Sequence, residues 1–220
     1  PAAVVMPCYG SYDASGKLRS QIAWPKERKN LLWGTIIREK IRKQQAMLLY
    51  AHEAERAQML EAYAEHVEGA DASNREGHAA KVYFGGLFGV GFTRGDGCAI
   101  NQALNFGYAI LLSAFNREIV AHGYATQLGV FHDNVYNAFN LGCDLMEPLR
   151  PLIDNEVMKL RPETFEKEHK HALIRLLQAQ VRLDGKQHVL LYALRLYCAS
   201  VFRALQSGKI DELRLIEYEL

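Results

Sequence analysis

Residues 100–122 constrain the fold more than any other part of the chain. From Ile100 to His122 the sequence is apolar almost all round a helical wheel. A helix without a polar face has to be covered on every side, so this one is expected at the centre of the molecule. Other helices must then supply the cover, and the fold class expected is mainly α, a multi-helical domain. The chain has 220 residues, enough for one sizeable core or two small ones. About half of it is apolar (49%) and its net charge is +1, the balance of an ordinary globular protein rather than a disordered one. Asn101, Gln102, Asn105 and Gly107 make the stretch from Cys98 to Asn116 too polar to cross a bilayer. Four scattered cysteines with no CxxC pair exclude a zinc ribbon and argue against a disulfide framework, so a reducing cytoplasm is expected.

The segment AAVVMPCYGSYD reads as a short strand and a turn ahead of a mostly helical chain. The chain opens on Pro1 in an apolar stretch and reads as part of a longer polypeptide. From about Asn30 the period turns helical: Leu31, Ile36, Ile37, Ile41, Leu48 and Leu49 recur at spacings near three and four, and the run is expected to continue to about Val67. A helix is expected to open at Ser73 and carry Glu76 to about Phe84. The glycine-rich stretch 85–97 is then expected to be loop. It lacks the GxxxxGK[ST] pattern, and Arg94 stands where GxGxxG needs its last glycine, which leaves little case for a nucleotide loop. Further helices are expected near 140–160, 164–180, 188–206 and 210–217. Asp184-Gly185 is a turn signal able to join QVRL to KQHVL in a small β-turn near 181–189.

The candidate chemistry lies between Gly129 and Pro151, in GVFHDNVYNAFNLGCDLMEPLRP. His132, Asp144 and Glu147 fall in this run, and Glu76 lies far upstream. One imidazole with two or three carboxylates is the ligand mix of a hard or borderline divalent ion, Mg²⁺ or Mn²⁺. Each residue also has a plain structural role open to it. Ser73-Asn74-Arg75-Glu76 matches a capping box, and the local sequence favours that reading of Glu76. His132 ends an apolar segment at a loop mouth, where a hydrogen-bonded structural histidine is common. Glu147 can pair with Arg150. Asp144 and Glu147 are three apart and share a helix face. Pro148 and Pro151 remove the N–H groups that would pair with the carbonyls of Asp144 and Glu147, so a kink is expected there.

A straight helix from 132 to 147 would hold His132 and Glu147 roughly 22 Å apart. If both serve one ion, 133–138 must be non-helical and fold back, and Asn140 is the expected N-cap of the helix that carries Asp144 and Glu147. His52 begins an HExxH pattern that Arg56 breaks, and Ser113 sits inside the apolar helix, so neither a zincin nor a serine triad is supported. Base is dense from Lys17 to Lys43, with acid beyond it from Glu53 to Asp71. A solvated helix face explains this somewhat better than a phosphate-binding stripe does.

Taken together, LGVFHDN…FNLGCDLMEPLRP, the glutamate before AAKVYF and the intervening NQALNFGYAILLSAF resemble the CRISPR-associated integrase of spacer acquisition. The segment QIAWPKERKNLLWGTIIREKIRKQQAMLL is similar to its type II branch. The resemblance covers most of residues 5–160. It implies a metal-dependent DNA endonuclease and integrase that inserts captured DNA into a CRISPR array by transesterification, with Glu76, His132 and Glu147 as metal ligands and Asp144 as an added candidate. It further implies double-stranded and branched DNA as substrate, a homodimer, and a small second adaptation subunit. Arg38, Lys40, Arg42 and Arg94 are the expected phosphate contacts. Ala138 stands where relatives often carry proline, and Leu149 where phenylalanine is common. Most of the family's β-rich N-terminal domain has no counterpart here, so the resemblance implies that residues 1–15 are the remnant of that domain or a linker and that 16–220 form the α-helical catalytic, metal- and DNA-binding domain. Two other readings stay open: a non-catalytic helical DNA-binding scaffold, and a helical metal hydrolase of a small phosphorylated substrate.

Overall fold

A computed structural model describes residues 13–219; the strand expected before Gly10 lies outside them. The described chain is mainly helical, as expected. Helix α1 runs Ala14–Ile22, α2 Lys26–Tyr50, α3 Ala54–Glu65, α4 Arg75–Phe88, α5 Ala99–Ala121, α6 Asn140–Met146, α7 Arg150–Leu160, α8 Lys167–Arg175 and α9 Leu190–Ser207. Among the described residues the one sheet is an antiparallel hairpin, β1 (Gln180–Leu183) with β2 (Lys186–Val189), turned at Asp184-Gly185 where both residues have positive φ.

Helix α5 occupies the centre and touches α6, α7, α8 and α9. It buries Leu104, Leu111, Phe115 and Ile119, but it is not covered on every side as expected: Gln102, Asn105, Ala109, Ser113 and Arg117, three or four residues apart, form one exposed stripe. Across the core, α2 presents Trp33, Ile36, Ile37, Ile41, Met47 and Leu48, all fully buried. One charged side chain stands in that stripe, Lys40.

The structure corrects several expectations. The helical run from 30 to 67 is two helices, because the chain reverses at His52 in a left-handed conformation. The Glu53 N–H then closes on the Leu48 carbonyl at 2.8 Å, a Schellman stop. The break lets Ala57, Leu60 and Ala64 of α3 pack back on α2, which a straight helix could not do. Helix α4 extends beyond Phe84 through Gly85 and Gly86. A Cβ on Gly86 would meet Leu48 Cδ2 at 2.5 Å, so the missing side chain allows α2 and α4 to approach. The helix expected at 210–217 is a short 3-10 turn, Ile210–Glu212, and then extended chain. Its Glu217 exchanges two backbone hydrogen bonds with Arg182 and extends the hairpin. Helix α1, capped by Asp13, was not foreseen.

Candidate metal centre

The site is assembled from α2, α4 and the kink between α6 and α7. Pro148 and Pro151 break the regular ladder, and Glu147–Leu149 forms a single 3-10 turn. The Glu147 carbonyl, expected to be free, accepts the Arg150 N–H instead. The kink turns the Glu147 side chain inward, where it is 3% exposed. Lys40 Nζ donates to Glu147 Oε2 at 2.5 Å and to Glu76 Oε1 at 2.6 Å. The two carboxylate oxygens therefore lie no more than about 5 Å apart. The other Glu147 oxygen pairs with Arg150 Nε at 2.8 Å, and the Arg150 guanidinium lies over the Tyr108 ring. Burial pushes the Glu147 carboxyl up, but the charges of Lys40 and Arg150 outweigh it and hold it below the usual carboxylate range. Burial likewise pulls the Lys40 ammonium down, and Glu147 and Glu76 outweigh that pull. Both groups are thus charged at neutral pH.

Glu76 reaches this point because another residue caps its helix. The capping box read from Ser73 is not formed. Asp71 Oδ1 and Oδ2 accept the Arg75 and Glu76 N–H groups at 2.8 and 2.9 Å. The Glu76 side chain, released from capping, points at Lys40.

His132 sits on the fold-back that the geometry demanded. Residues 131–139 are non-helical. The loop hangs on Asp144, which is fully buried. Its Oδ2 accepts the Val130 and Phe131 N–H groups at 2.6 and 3.0 Å; its Oδ1 accepts His132 N–H at 3.1 Å and His132 Nδ1 at 2.6 Å. Asp144 is saturated by these donors, which makes it the loop's anchor rather than a free ligand. The His132 ring meets Trp33 edge-on, and Phe131 stacks on the same indole at 4.3 Å. With Nδ1 hydrogen-bonded to a carboxylate, Nε2 is the nitrogen left to face a ligand. The hydrogen bond from Asp144 holds the imidazole above its ordinary pKa; the charges of Glu147 and Glu76 add to it, and partial burial opposes it. Asn140 is not the N-cap but the first residue of α6, its amide donating to the carbonyls of Gln127 and Asn134.

The four basic residues do not form one stripe. Lys40, expected to meet phosphate, is 6% exposed and turned into the acids. Arg38 is tied to the Val67 carbonyl, and Arg94 to the side chains of Asn101 and Asn105; Arg42 is exposed. Sequence reasoning also missed Asp154, which is buried and accepts hydrogen bonds from Tyr83 of α4 and Tyr108 of α5. Burial pushes its carboxyl up to about 6 despite those bonds. A signal was present: Asp154 is seven residues from Glu147, two turns along the same face, and Lys40 interrupts an apolar stripe.

The family model described as CRISPR associated protein Cas1 matches residues 5–176 of this chain. The chain belongs to the Cas1 family. A "CRISPR-associated endonuclease Cas1" from Neisseria meningitidis serogroup C (strain 8013) is 34% identical over 223 residues, covering 96% of this chain and 73% of that protein. Another, from Francisella tularensis subsp. novicida (strain U112), is 34% identical over 126 residues, covering 50% of this chain and 40% of that protein. Similar solved structures include a partial Cas6-RT-Cas1–Cas2 complex (TM-score 0.77, 15% identity, 96% of this chain and 76% of that one). A casposase bound to integration product aligns with TM-score 0.69 at 19% identity, covering 89% of this chain and 70% of that one.

In this Cas1 chain the donor set can be tested against a divalent ion. Among the described residues no three His, Cys, Asp or Glu side chains are gathered at ion-binding distance. An ammonium holds the place between two of the carboxylates, whereas two oxygens on one Mg²⁺ or Mn²⁺ would stand roughly 3–4 Å apart. The types and directions nevertheless fit. Two carboxylates already face one cation, and a loop carries an imidazole whose Nδ1 is held by Asp144.

Proposed function

We propose that this chain is the catalytic domain of a metal-dependent DNA endonuclease and integrase of CRISPR spacer acquisition, with Glu76, His132 and Glu147 as the ligands. The observation that carries the reading is the pair of carboxylates from α4 and the α6–α7 kink converging on one cation, with the imidazole held by Asp144 near enough to feel both charges. The names of its relatives and the casposase with an integration product support the chemistry. In strand transfer the 3′-oxygen of a captured DNA fragment bonds to a phosphorus of the repeat, and the bond from that phosphorus to the host 3′-oxygen breaks. The attacking hydroxyl loses its proton and the leaving oxygen gains one. A bound Mg²⁺ or Mn²⁺ would supply charge for the phosphoryl oxygens and acidify the attacking hydroxyl or water.

The chain's own side chains have separate tasks. Glu76 and Glu147 hold the ion, Arg150 fixes the second oxygen of Glu147, and Asp144 aims His132 through Nδ1. Exposed Arg42, with Arg38 and Arg94, would meet DNA phosphates; these contacts are sequence-independent and salt-sensitive. Double-stranded and branched DNA, a second copy of the chain and a small second subunit are the partners in this reading, the last supported by the Cas1–Cas2 assemblies among its structural neighbours. Mn²⁺-dependent nicking and strand transfer on branched DNA are expected, and Glu76→Gln should abolish both. Undiminished activity in that variant would remove Glu76 from the site.

A further inference from the structure

We propose that Lys40 sets the metal affinity of this centre: its ammonium stands in for the divalent ion between Glu76 and Glu147 and has to withdraw before the ion can bind. The inference rests on reading those two carboxylates as metal ligands. It goes further by giving a function to a residue that is itself no ligand.

The geometry leaves one place for two cations. Lys40 Nζ is within 2.6 Å of Glu76 Oε1 and 2.5 Å of Glu147 Oε2, well inside the reach of charge-assisted hydrogen bonds. The second Glu147 oxygen is already held by Arg150. An ion bridging the two glutamates through Oε1 of one and Oε2 of the other would therefore occupy the ammonium's position, and like charges at such range repel strongly. Lys40 also has little room to leave. It lies in the buried stripe of α2, between Ile37 and Ile41, and its side chain is 8% exposed. Withdrawal breaks two charge-assisted hydrogen bonds, and the binding-competent state is a minor one. The apparent affinity for the ion is then reduced by the fraction of molecules in that state.

The arrangement has a structural benefit as well. Glu147 is almost fully buried and sits within about 5 Å of Glu76. Without a cation the two carboxylates would repel and pull α4 from the α6–α7 kink. Lys40 therefore preassembles the site when no ion is bound, and it weakens the ion's hold when one is.

Mn²⁺ binding to the 220-residue chain, measured by calorimetry and by thermal unfolding in EDTA and in Mn²⁺, tests this. Lys40→Met keeps the stem and removes the charge. It should melt below wild type in EDTA, bind Mn²⁺ about tenfold or more tightly, and gain more in melting temperature from Mn²⁺ than wild type does. Should Lys40→Met not fold in EDTA, Lys40→Gln, neutral and still able to donate to one carboxylate, should show the same tightening. Lys40→Arg keeps the charge and should bind Mn²⁺ no more tightly than wild type. If wild-type binding depends on Glu76, as shown by its loss in Glu76→Gln, but neither neutral variant binds more tightly, the assignment of Lys40 is overturned and the metal reading stands. If wild-type Mn²⁺ binding is absent or indifferent to Glu76→Gln, the metal reading itself falls and takes the assignment with it.

Discussion

Replacing Asp144 by asparagine takes one acceptor oxygen from a loop that hangs on both. The native carboxylate accepts four N–H groups, two on each oxygen. An amide can serve only one of those pairs, and its own NH₂ would then face the other two donors. A hydrogen bond to a charged group contributes about 1.5–3 kcal/mol, so the two lost bonds come to roughly 3–6 kcal/mol. The lower end applies because Phe131 is 48% exposed and the His132 side chain 41%, which lets water replace part of the loss. Val130, at 6%, has no such access. Against a total stability of about 5–15 kcal/mol, the variant should fold but marginally. A cheaper route than global unfolding also exists: the loop can detach while Asn140, through Gln127 and Asn134, and Thr126, through Ala138, still hold its far end. Urea unfolding should therefore show a loss of about 2–4 kcal/mol, below the full sum. Amide exchange at Val130, Phe131 and His132 should accelerate beyond what that global loss accounts for. A loss under about 1 kcal/mol with unchanged protection of those three amides would refute the view that Asp144 anchors the loop.

Other substitutions separate the remaining roles. Asp154 has a folded-state pKa of about 6, above its ordinary value, so the folded protein binds that proton more tightly and stability falls as pH rises through the interval between the two values. Relative to Asp154→Asn, the wild type should lose about 2 kcal/mol between pH 4 and pH 7.5, and parallel stability profiles for the two proteins would contradict this. Gly129→Ala places a Cβ against the His132 carbonyl oxygen and 2.8 Å from Asp144 Oδ2. It should cost about 1–3 kcal/mol in thermal unfolding, and an unchanged melting temperature would show that the loop has room the geometry denies it. Arg42→Ala, at an exposed position on α2, should lower the slope of log affinity for DNA against log salt by about one; an unaltered slope would place the phosphate path elsewhere.

What the sequence disclosed depended on whether the deciding contact was local. The central helix α5 was legible because it is long and strongly apolar, although the cover on every side that its composition implied is interrupted by an exposed stripe of Gln102, Asn105, Ala109, Ser113 and Arg117. The hairpin at Asp184-Gly185 was legible because its turn chemistry is contained in two residues. The loop at 133–138 followed from a distance condition: one site cannot hold His132 and Glu147 across a straight helix. The failures were tertiary. Nothing in the run around His52 punctuates it, and the reversal into α3 is decided by what α3 packs against. Ser73 and Asp71 compete for the same N-terminus, and Asp71 wins by serving two amides at once. Lys40 was counted among surface cations because a charge stripe along a helix does not reveal that one of its members faces inward.

The four acids of this region differ in what answers their charge, and the difference assigns their roles. Asp144 is met by four N–H groups of its own loop. Asp154 is met by two tyrosine hydroxyls and by its raised affinity for a proton. In both cases the partners are fixed by backbone or by buried rings, and no incoming ion could replace them without dismantling a loop or a helix contact. Glu147 and Glu76 are met instead by side-chain cations, Lys40 shared between them and Arg150 on Glu147 alone. A side-chain cation can withdraw and leave its place to another cation, whereas a backbone amide cannot. Asp144, an added candidate for the ion, is on this reading the anchor of the loop. The pair that is able to exchange partners also converges from different helices. Each carboxylate is carried by its own element, Glu76 by α4 and Glu147 by the α6–α7 kink.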